Sequence, residues 1–213
     1  MEHQAHCADW KKDFYASAAA WWGESWYGGE NLPGRLALLQ QSARPQDHRL
    51  LELGAGTGET AAYLCDHGFV VTAVDLCREN VALIQATAQT RPGLRAVEGD
   101  FLSVPLAEKF PLVCMFETFG MGSDRDQKRL LRRIRREWLE DGGTLILDVY
   151  HPSGPIKAAG SRLSLDRLEN VPGSVDMTEY SHYDGVLGRW MDTWEPVQDP
   201  ASARTQSIRC YTP

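Results

Sequence analysis

The run Leu51-Glu52-Leu53-Gly54-Ala55-Gly56-Thr57-Gly58-Glu59 decides how the rest of the chain is read. Leu51 and Leu53 close a short apolar strand that begins at His48. Three glycines in five positions then lead toward a helix over Thr60–His67 that Gly68 ends. Glycines between a strand and a helix let the backbone pass close to a ligand, and the helix N-terminus offers free N–H groups to an anion. Phosphate and carboxylate both suit such a place, so the glycines alone do not name the ligand.

The neighbouring acids narrow the choice. A dinucleotide fingerprint needs Gly or Ala at its sixth position, where helix and strand pack closely. Counting from Gly54, that position is Glu59, whose bulk and charge oppose a pyrophosphate. No Gly-Lys-Ser/Thr follows, which excludes a P-loop. Glu52, two residues before Gly54, suits a ligand that carries an ammonium beside its carboxylate. Outward along the chain, Phe69–Val74 reads as a buried strand ending at Asp75, whose carboxylate can accept the hydroxyls of a ribose. Leu94–Val97 is a third strand, followed by Asp100-Phe101: an acceptor for an exocyclic N–H and a ring to pack on a base. Three acids in successive strand–loop slots point to a nucleoside bearing an amino-acid tail.

The remaining elements complete an α/β alternation. Glu79–Thr90 reads as a helix stopped by Pro92-Gly93, and Pro111–Phe116 as a fourth strand. Asp124–Leu139 reads as an amphipathic helix with Leu131, Ile134 and Trp138 on one stripe, and Gly142-Gly143 turns into a fifth strand over Thr144–Val149. Such repetition predicts a Rossmann-like, mostly parallel sheet with helices on both faces. Three segments are expected: a helical, aromatic N-terminal cap over 1–44, an α/β core over 45–151, and a small antiparallel lid over 152–213 with a hairpin at Asp184-Gly185. Thr212-Pro213 looks like the opening of a further helix, so the chain is expected to continue past it.

Composition bounds the function. With 22 Lys+Arg against 29 Asp+Glu the net charge is −7, and 24% charged with 43% hydrophobic residues describes a globular chain. The acidic balance opposes a non-specific nucleic-acid binder. The basic run Lys128–Arg136 places most of its arginines on the outer face of an amphipathic helix, the ordinary solvated side. No apolar run is long enough to cross a membrane, and the first residues lack the order of a signal peptide. Five scattered cysteines without a Cys-x-x-Cys pair read as reduced thiols in the cytoplasm, with no metal site expected.

Glu52-Leu53-Gly54-Ala55-Gly56-Thr57-Gly58, Asp75, Gly99-Asp100-Phe101 and Asp141–Asp148 together resemble class I S-adenosylmethionine-dependent methyltransferases, closely over residues 48–151. Glu117-Thr118-Phe119-Gly120 and Arg209–Pro213 are similar to a bacterial subgroup acting on small molecules. The resemblance implies S-adenosyl-L-methionine as cofactor and S-adenosyl-L-homocysteine as product. It places Gly54, Ala55 and Gly56 at the methionyl part, Asp75 on the ribose, and Asp100 and Phe101 at the adenine, with Thr57 and Leu76 also among the cofactor-binding residues. Phe116 and Glu117 would line the substrate side.

Methyl transfer from a sulfonium is an in-line displacement that needs alignment, with a base where the acceptor is a hydroxyl or a protonated amine. Glu117, Tyr150 and His151 follow the fourth and fifth strands and are the candidates. Tyr15 and Trp22, from the aromatic N-terminal stretch, are expected to fold over the cofactor, where a ring attracts the sulfonium. Two rival readings keep the fold: another reaction with the same cofactor, such as a cyclisation, or a non-catalytic cofactor-binding module. A nicotinamide oxidoreductase is disfavoured by Glu59. The sequence leaves the acceptor and the oligomeric state open.

Overall fold

A computed structural model describes residues 10–22, 31–44, 46–169, 171 and 173–212. They fall into two units: residues 31–149, and residues 10–22 together with 150–212.

The first unit opens with helix α2 (Leu32–Ser42), entered through Pro33 in its first turn, where a missing N–H costs nothing. The strands β1 (Arg49–Leu53), β2 (Val70–Asp75), β3 (Leu94–Glu98), β4 (Phe110–Met115) and β5 (Leu139–Leu147) form one sheet in the order β3-β2-β1-β4-β5, all pairs parallel. Helices α3 (Glu59–Asp66), α4 (Arg78–Ala88) and α5 (Asp124–Arg133) connect them. The expected doubly covered parallel sheet is therefore present.

Side-chain alternation sorts the core. Leu50, Ala73, Leu112, Cys114 and Ile146 pack with Leu36 and Leu39 of α2, Leu64 of α3 and Ile84 of α4. Leu51, Leu53, Val113 and Met115 alternate to the other face and are fully buried. Gly68, at φ 91°, ends α3 in the left-handed conformation that only glycine adopts without strain.

Two expectations change in the α5 region. A reciprocal capping box between Ser123 and Asp126 starts the helix, but its regular part stops at Arg133. Ile134–Trp138 forms a π-helical turn, closed by the Leu139 N–H donating to the Ile134 carbonyl. The wider turn sends Trp138 fully into the core and lets Leu139 enter β5 at once. The buried stripe is Gln127, Leu130, Ile134 and Trp138; Leu131 is exposed instead. The fifth strand likewise begins earlier than expected. Phe110 pairs with Leu139 and Leu112 with Thr144, so residues 140–143, Gly142-Gly143 included, form an irregularity inside β5 rather than a turn before it.

The second unit carries an antiparallel sheet, β6 (Arg162–Leu165), β7 (Met177–Asp184), β8 (Arg189–Pro196) and β9 (Arg204–Arg209), in chain order. The hairpin expected at Asp184-Gly185 is present between β7 and β8, with Asp184 paired to Arg189 across a four-residue turn. Helix α6 (Ser153–Ala158) and β6 lie where the sequence reads only as Gly-, Pro- and Ser-rich. Helix α1 (Trp10–Trp22) packs on β9, with Phe14 fully buried against Trp194. The segment expected as one N-terminal cap is thus divided, α1 going with the antiparallel sheet and α2 with the parallel one. Among the described residues no helix is long and apolar enough to cross a membrane.

Candidate functional site

In a parallel sheet every strand delivers its C-terminal end to the same rim, and in this order β1 and β4 flank the point where the connections reverse direction. Open α/β sheets bind ligands at such a point. Residues 54–58, 75–76, 99–101, 116–118 and 148 follow β1, β2, β3, β4 and β5, so the sequence-predicted cofactor residues of this unit meet on one rim.

The glycine loop is held by its surroundings. Gly54 and Ala55 both donate to the Val74 carbonyl, at 2.8 and 3.0 Å, fastening the loop to the end of β2. Gly54, Gly56 and Gly58 have φ of 74°, 56° and 87°, a region other residues enter only under strain. A Cβ on Gly54 would stand 2.5 Å from Thr118 Cγ2, and one on Gly58 would stand 2.6 Å from Ile84 Cγ1. The loop therefore needs glycine for conformation and for close packing together.

Asp75 is the knot of this rim. Its Oδ2 accepts from the Gly56 N–H at 2.8 Å, and its Oδ1 accepts from the Cys77 N–H at 2.8 Å and Asn80 Nδ2 at 3.2 Å. Burial pushes the carboxyl up to about 6, and the backbone donors hold it back from going higher. Cys77 and Asn80 were not singled out from the sequence; only their spacing behind Asp75 hints at them.

Glu52 is 3% exposed, and its Oε2 has no hydrogen-bond partner. Burial raises its pKa to about 8; the nearby Arg35 charge opposes the rise and Asp75 adds to it. Thr57 Oγ1 is also buried without a partner. An orphaned carboxylate oxygen and an orphaned hydroxyl beside a glycine loop fit a polar ligand carrying donors, since each costs free energy until partnered. The residues present thus suit an amino-acid-like group at this loop.

Asp100 builds an Asx turn, accepting from the Leu102 N–H at 2.7 Å, and Phe101 is half-buried next to it. This loop is tied down by Arg133 of α5, which donates to the Phe101 carbonyl at 2.9 Å and to the Val104 carbonyl. Its guanidinium also pairs with Glu137 at 2.8 Å and stacks over Trp138. Arg133 is the exception in a run of arginines that otherwise faces solvent, and nothing in the helical pattern marks it.

Phe116 is buried, and Glu117 follows with φ 56°, the sole non-glycine positive φ among the described residues. Its N–H donates to Asp148 Oδ1 at 2.7 Å, and its carboxylate pairs with Arg35 at 3.0 Å. Desolvation raises Asp148, while the Glu117 N–H and Arg35 oppose the rise. Arg35 also donates to Thr60 Oγ1 at 2.6 Å and lies over the Phe116 ring at 4.9 Å. Thr118 Oγ1 donates to the Phe116 carbonyl at 2.8 Å. Arg35 escaped sequence reasoning because a lone arginine on a leucine-rich helix carries no motif.

The other expected residues belong to the second unit. The Tyr15 hydroxyl donates to Gln206 Oε1 at 3.5 Å, Tyr150 packs its ring on Trp190 at 5.4 Å, and exposed His151 pairs through Nδ1 with Ser153 Oγ at 2.8 Å. Trp22 ends α1, and its side chain lies outside the described residues.

Comparison with known proteins agrees with this geometry. Residues 50–143 match a family described as a methyltransferase domain. The chain is similar to the cypemycin N-terminal methyltransferase of a Streptomyces species, 34% identical over 150 residues, covering 66% of this chain and 60% of that protein. Against the curated relatives it matches first, the chain spans 46–60% of their length. Among solved structures, the CcbJ methyltransferase of Streptomyces caelestis has a TM-score of 0.69 at 21% identity, covering 86% of this chain and 74% of that one. The sugar N-methyltransferase KedS8 of a Streptoalloteichus species has a TM-score of 0.64 at 22% identity, with the same coverage. At these identities the structures attest the fold.

Proposed function

We infer, from the match of residues 50–143 to a methyltransferase domain family, that this protein transfers a methyl group from S-adenosyl-L-methionine to an oxygen or nitrogen of a small molecule in specialised metabolism. The observation that carries the reading is the glycine loop knotted to Asp75 with the orphaned polar atoms of Glu52 and Thr57 beside it. A nitrogen acceptor is the better supported, because the cypemycin relative is named as an N-terminal methyltransferase.

In this reading Gly54, Ala55, Gly56 and Thr57 cradle the methionyl part, and Glu52 takes its ammonium. Asp75 receives a ribose hydroxyl beside Leu76, and Asp100 with Phe101 takes the adenine. Bound S-adenosyl-L-methionine supplies an electrophilic methyl on a sulfonium. The chain's own task is alignment and exclusion of water. Phe116 contributes apolar surface on the substrate side. Glu117 orients, since its carboxylate is already paired with Arg35 and its peptide is fixed by Asp148. Tyr150 and His151 remain candidates for moving the acceptor's proton. The free thiols Cys65, Cys77, Cys114 and Cys210 suit a reducing, cytoplasmic setting.

Calorimetric titration with S-adenosyl-L-methionine, S-adenosyl-L-homocysteine and NADH tests the cofactor. Binding of the two sulfur nucleosides at micromolar level, about −8 kcal/mol, with none of NADH is the expected result. Binding of NADH alone would overturn it. Release of S-adenosyl-L-homocysteine with a methylated acceptor separates methyl transfer from a cyclisation or a non-catalytic binding role.

A further inference from the structure

One side chain of α2 reaches the starts of two other segments at the rim of the parallel sheet. Arg35 follows Pro33 and Gly34, and its N–H donates to the Asn31 carbonyl at 2.9 Å, closing the first turn of the helix. Leu36 and Leu39 bury that helix on the sheet, so the Arg35 backbone is fixed. Its guanidinium is 15% exposed and uses its two terminal nitrogens in different directions. One donates to Thr60 Oγ1 at 2.6 Å, in the first turn of α3. The other pairs with Glu117 at 3.0 Å, in the turn that follows β4.

These two partners hold opposite ends of the glycine loop. Thr60 lies two residues beyond Gly58, the N-cap of α3, which has no side chain to hold the helix start. At the other end, Thr118 packs so closely on Gly54 that a Cβ there would stand 2.5 Å from Thr118 Cγ2. The Thr118 hydroxyl also lies 3.3 Å from the Gly54 carbonyl, as well as 2.8 Å from that of Phe116. Glu117 precedes Thr118 at φ 56°, a conformation that persists in a non-glycine residue only when its surroundings impose it. Asp148 holds its N–H and Arg35 holds its carboxylate. With Glu117 64% exposed, the ion pair adds little to overall stability, so its consequence is geometric.

We propose that Arg35 is a positioning residue that braces the glycine loop at both ends, at α3 through Thr60 and at Gly54 through Glu117 and Thr118. A planar guanidinium spans the two partners at once, which the point charge of a lysine does not. The brace keeps the loop and the turn after β4 in one fixed relation. That this relation aligns cofactor with acceptor rests on the function proposed above; the brace itself does not.

Backbone amide hydrogen exchange on the whole, cofactor-free protein tests the brace directly. Arg35→Met keeps an apolar stem and removes the donors. The Gly56 and Glu117 amides, which donate to Asp75 and Asp148, should then exchange about tenfold faster, with the interior amides of β1 and β2 unchanged. Arg35→Lys keeps the charge without the fork and should show the same local loosening. Native protection in both variants would mean that Val74 and Asp75 hold the loop alone. Uniformly faster exchange would mean that Arg35 only stabilises the fold. Either result overturns the proposal. Calorimetry with S-adenosyl-L-homocysteine then reads the consequence for binding. Arg35→Met and Glu117→Ala should each weaken it about tenfold, and the double variant no more than Arg35→Met. Multiplied losses in the double variant would show that the two residues act independently, against the proposal. Native protein that binds no S-adenosyl-L-homocysteine refutes the cofactor reading, while the exchange result still decides the brace.

Discussion

Glu52 shows how a single residue can be costly to the fold and useful to the site. Its carboxyl is raised from about 4.5 to about 8, chiefly by burial, so the folded chain holds a proton that the unfolded chain releases between those values. Stability contributed by the protonated form is full below pH 4.5 and is lost as pH rises toward 8, at up to about 1.4 kcal/mol per pH unit. Asp75, raised to about 6, adds a slope of the same sign at lower pH. Glu52→Gln removes the Glu52 part alone. Chemical denaturation from pH 5 to 8.5 should therefore show the variant gaining on the native protein as pH rises, most between 6 and 8, while its affinity for S-adenosyl-L-homocysteine falls. Parallel stability curves across that range would show that Glu52 does not titrate as its burial implies. The position was legible in the sequence as an acid two residues before a glycine. That its buried Oε2 lacks a hydrogen-bond partner was not, because that depends on what β2, β4 and α2 bring to the same place.

The elements that alternate with period 2 or 3.6 are readable, and apart from the α5–β5 region their ends shift by only a residue or two. Phe69–Val74 was expected and Val70–Asp75 is found; Glu79–Thr90 was expected and Arg78–Ala88 is found. What failed was continuity. The pattern from Asp124 to Leu139 looks like one helix because a π-helical turn preserves the apolar spacing while changing which residue points inward. Arg133, at the last regular position of α5, is where this matters for the site. One planar guanidinium reaches the carbonyls of Phe101 and Val104 together and still pairs with Glu137, a geometry that a lysine ammonium cannot reproduce. Arg133→Lys should leave the helix content intact by circular dichroism. The freed loop should weaken S-adenosyl-L-homocysteine binding roughly tenfold, the equivalent of about 1.4 kcal/mol. A variant that binds as tightly as the native protein would show that the Asp100–Val104 loop is set by its own Asx turn and does not depend on α5.

At the scale of the whole molecule, the two units differ in how the chain supplies them. Residues 31–149 are contiguous and include every strand of the parallel sheet, the helices that cover it, the glycine loop, Asp75, Asp100 and Glu117. The antiparallel unit draws on both sides of that span, with Phe14 of α1 buried against Trp194 of β8, so it cannot close until residues 10–22 and 150–212 are both present. Three consecutive segments are what the sequence suggests, because nothing in α1 or α2 tells which sheet each will pack on. Closing a contact across so many residues costs chain entropy that local helices do not, whereas three of the four parallel pairings within 31–149 span one crossover and β1–β4 alone closes over β2 and β3. Residues 31–149 alone should therefore show a cooperative thermal transition and retain detectable, weakened binding of S-adenosyl-L-homocysteine. A fragment with helical signal but no cooperative transition would mean that the parallel sheet depends on the antiparallel unit for its stability, and that the division into units describes contacts without describing folding.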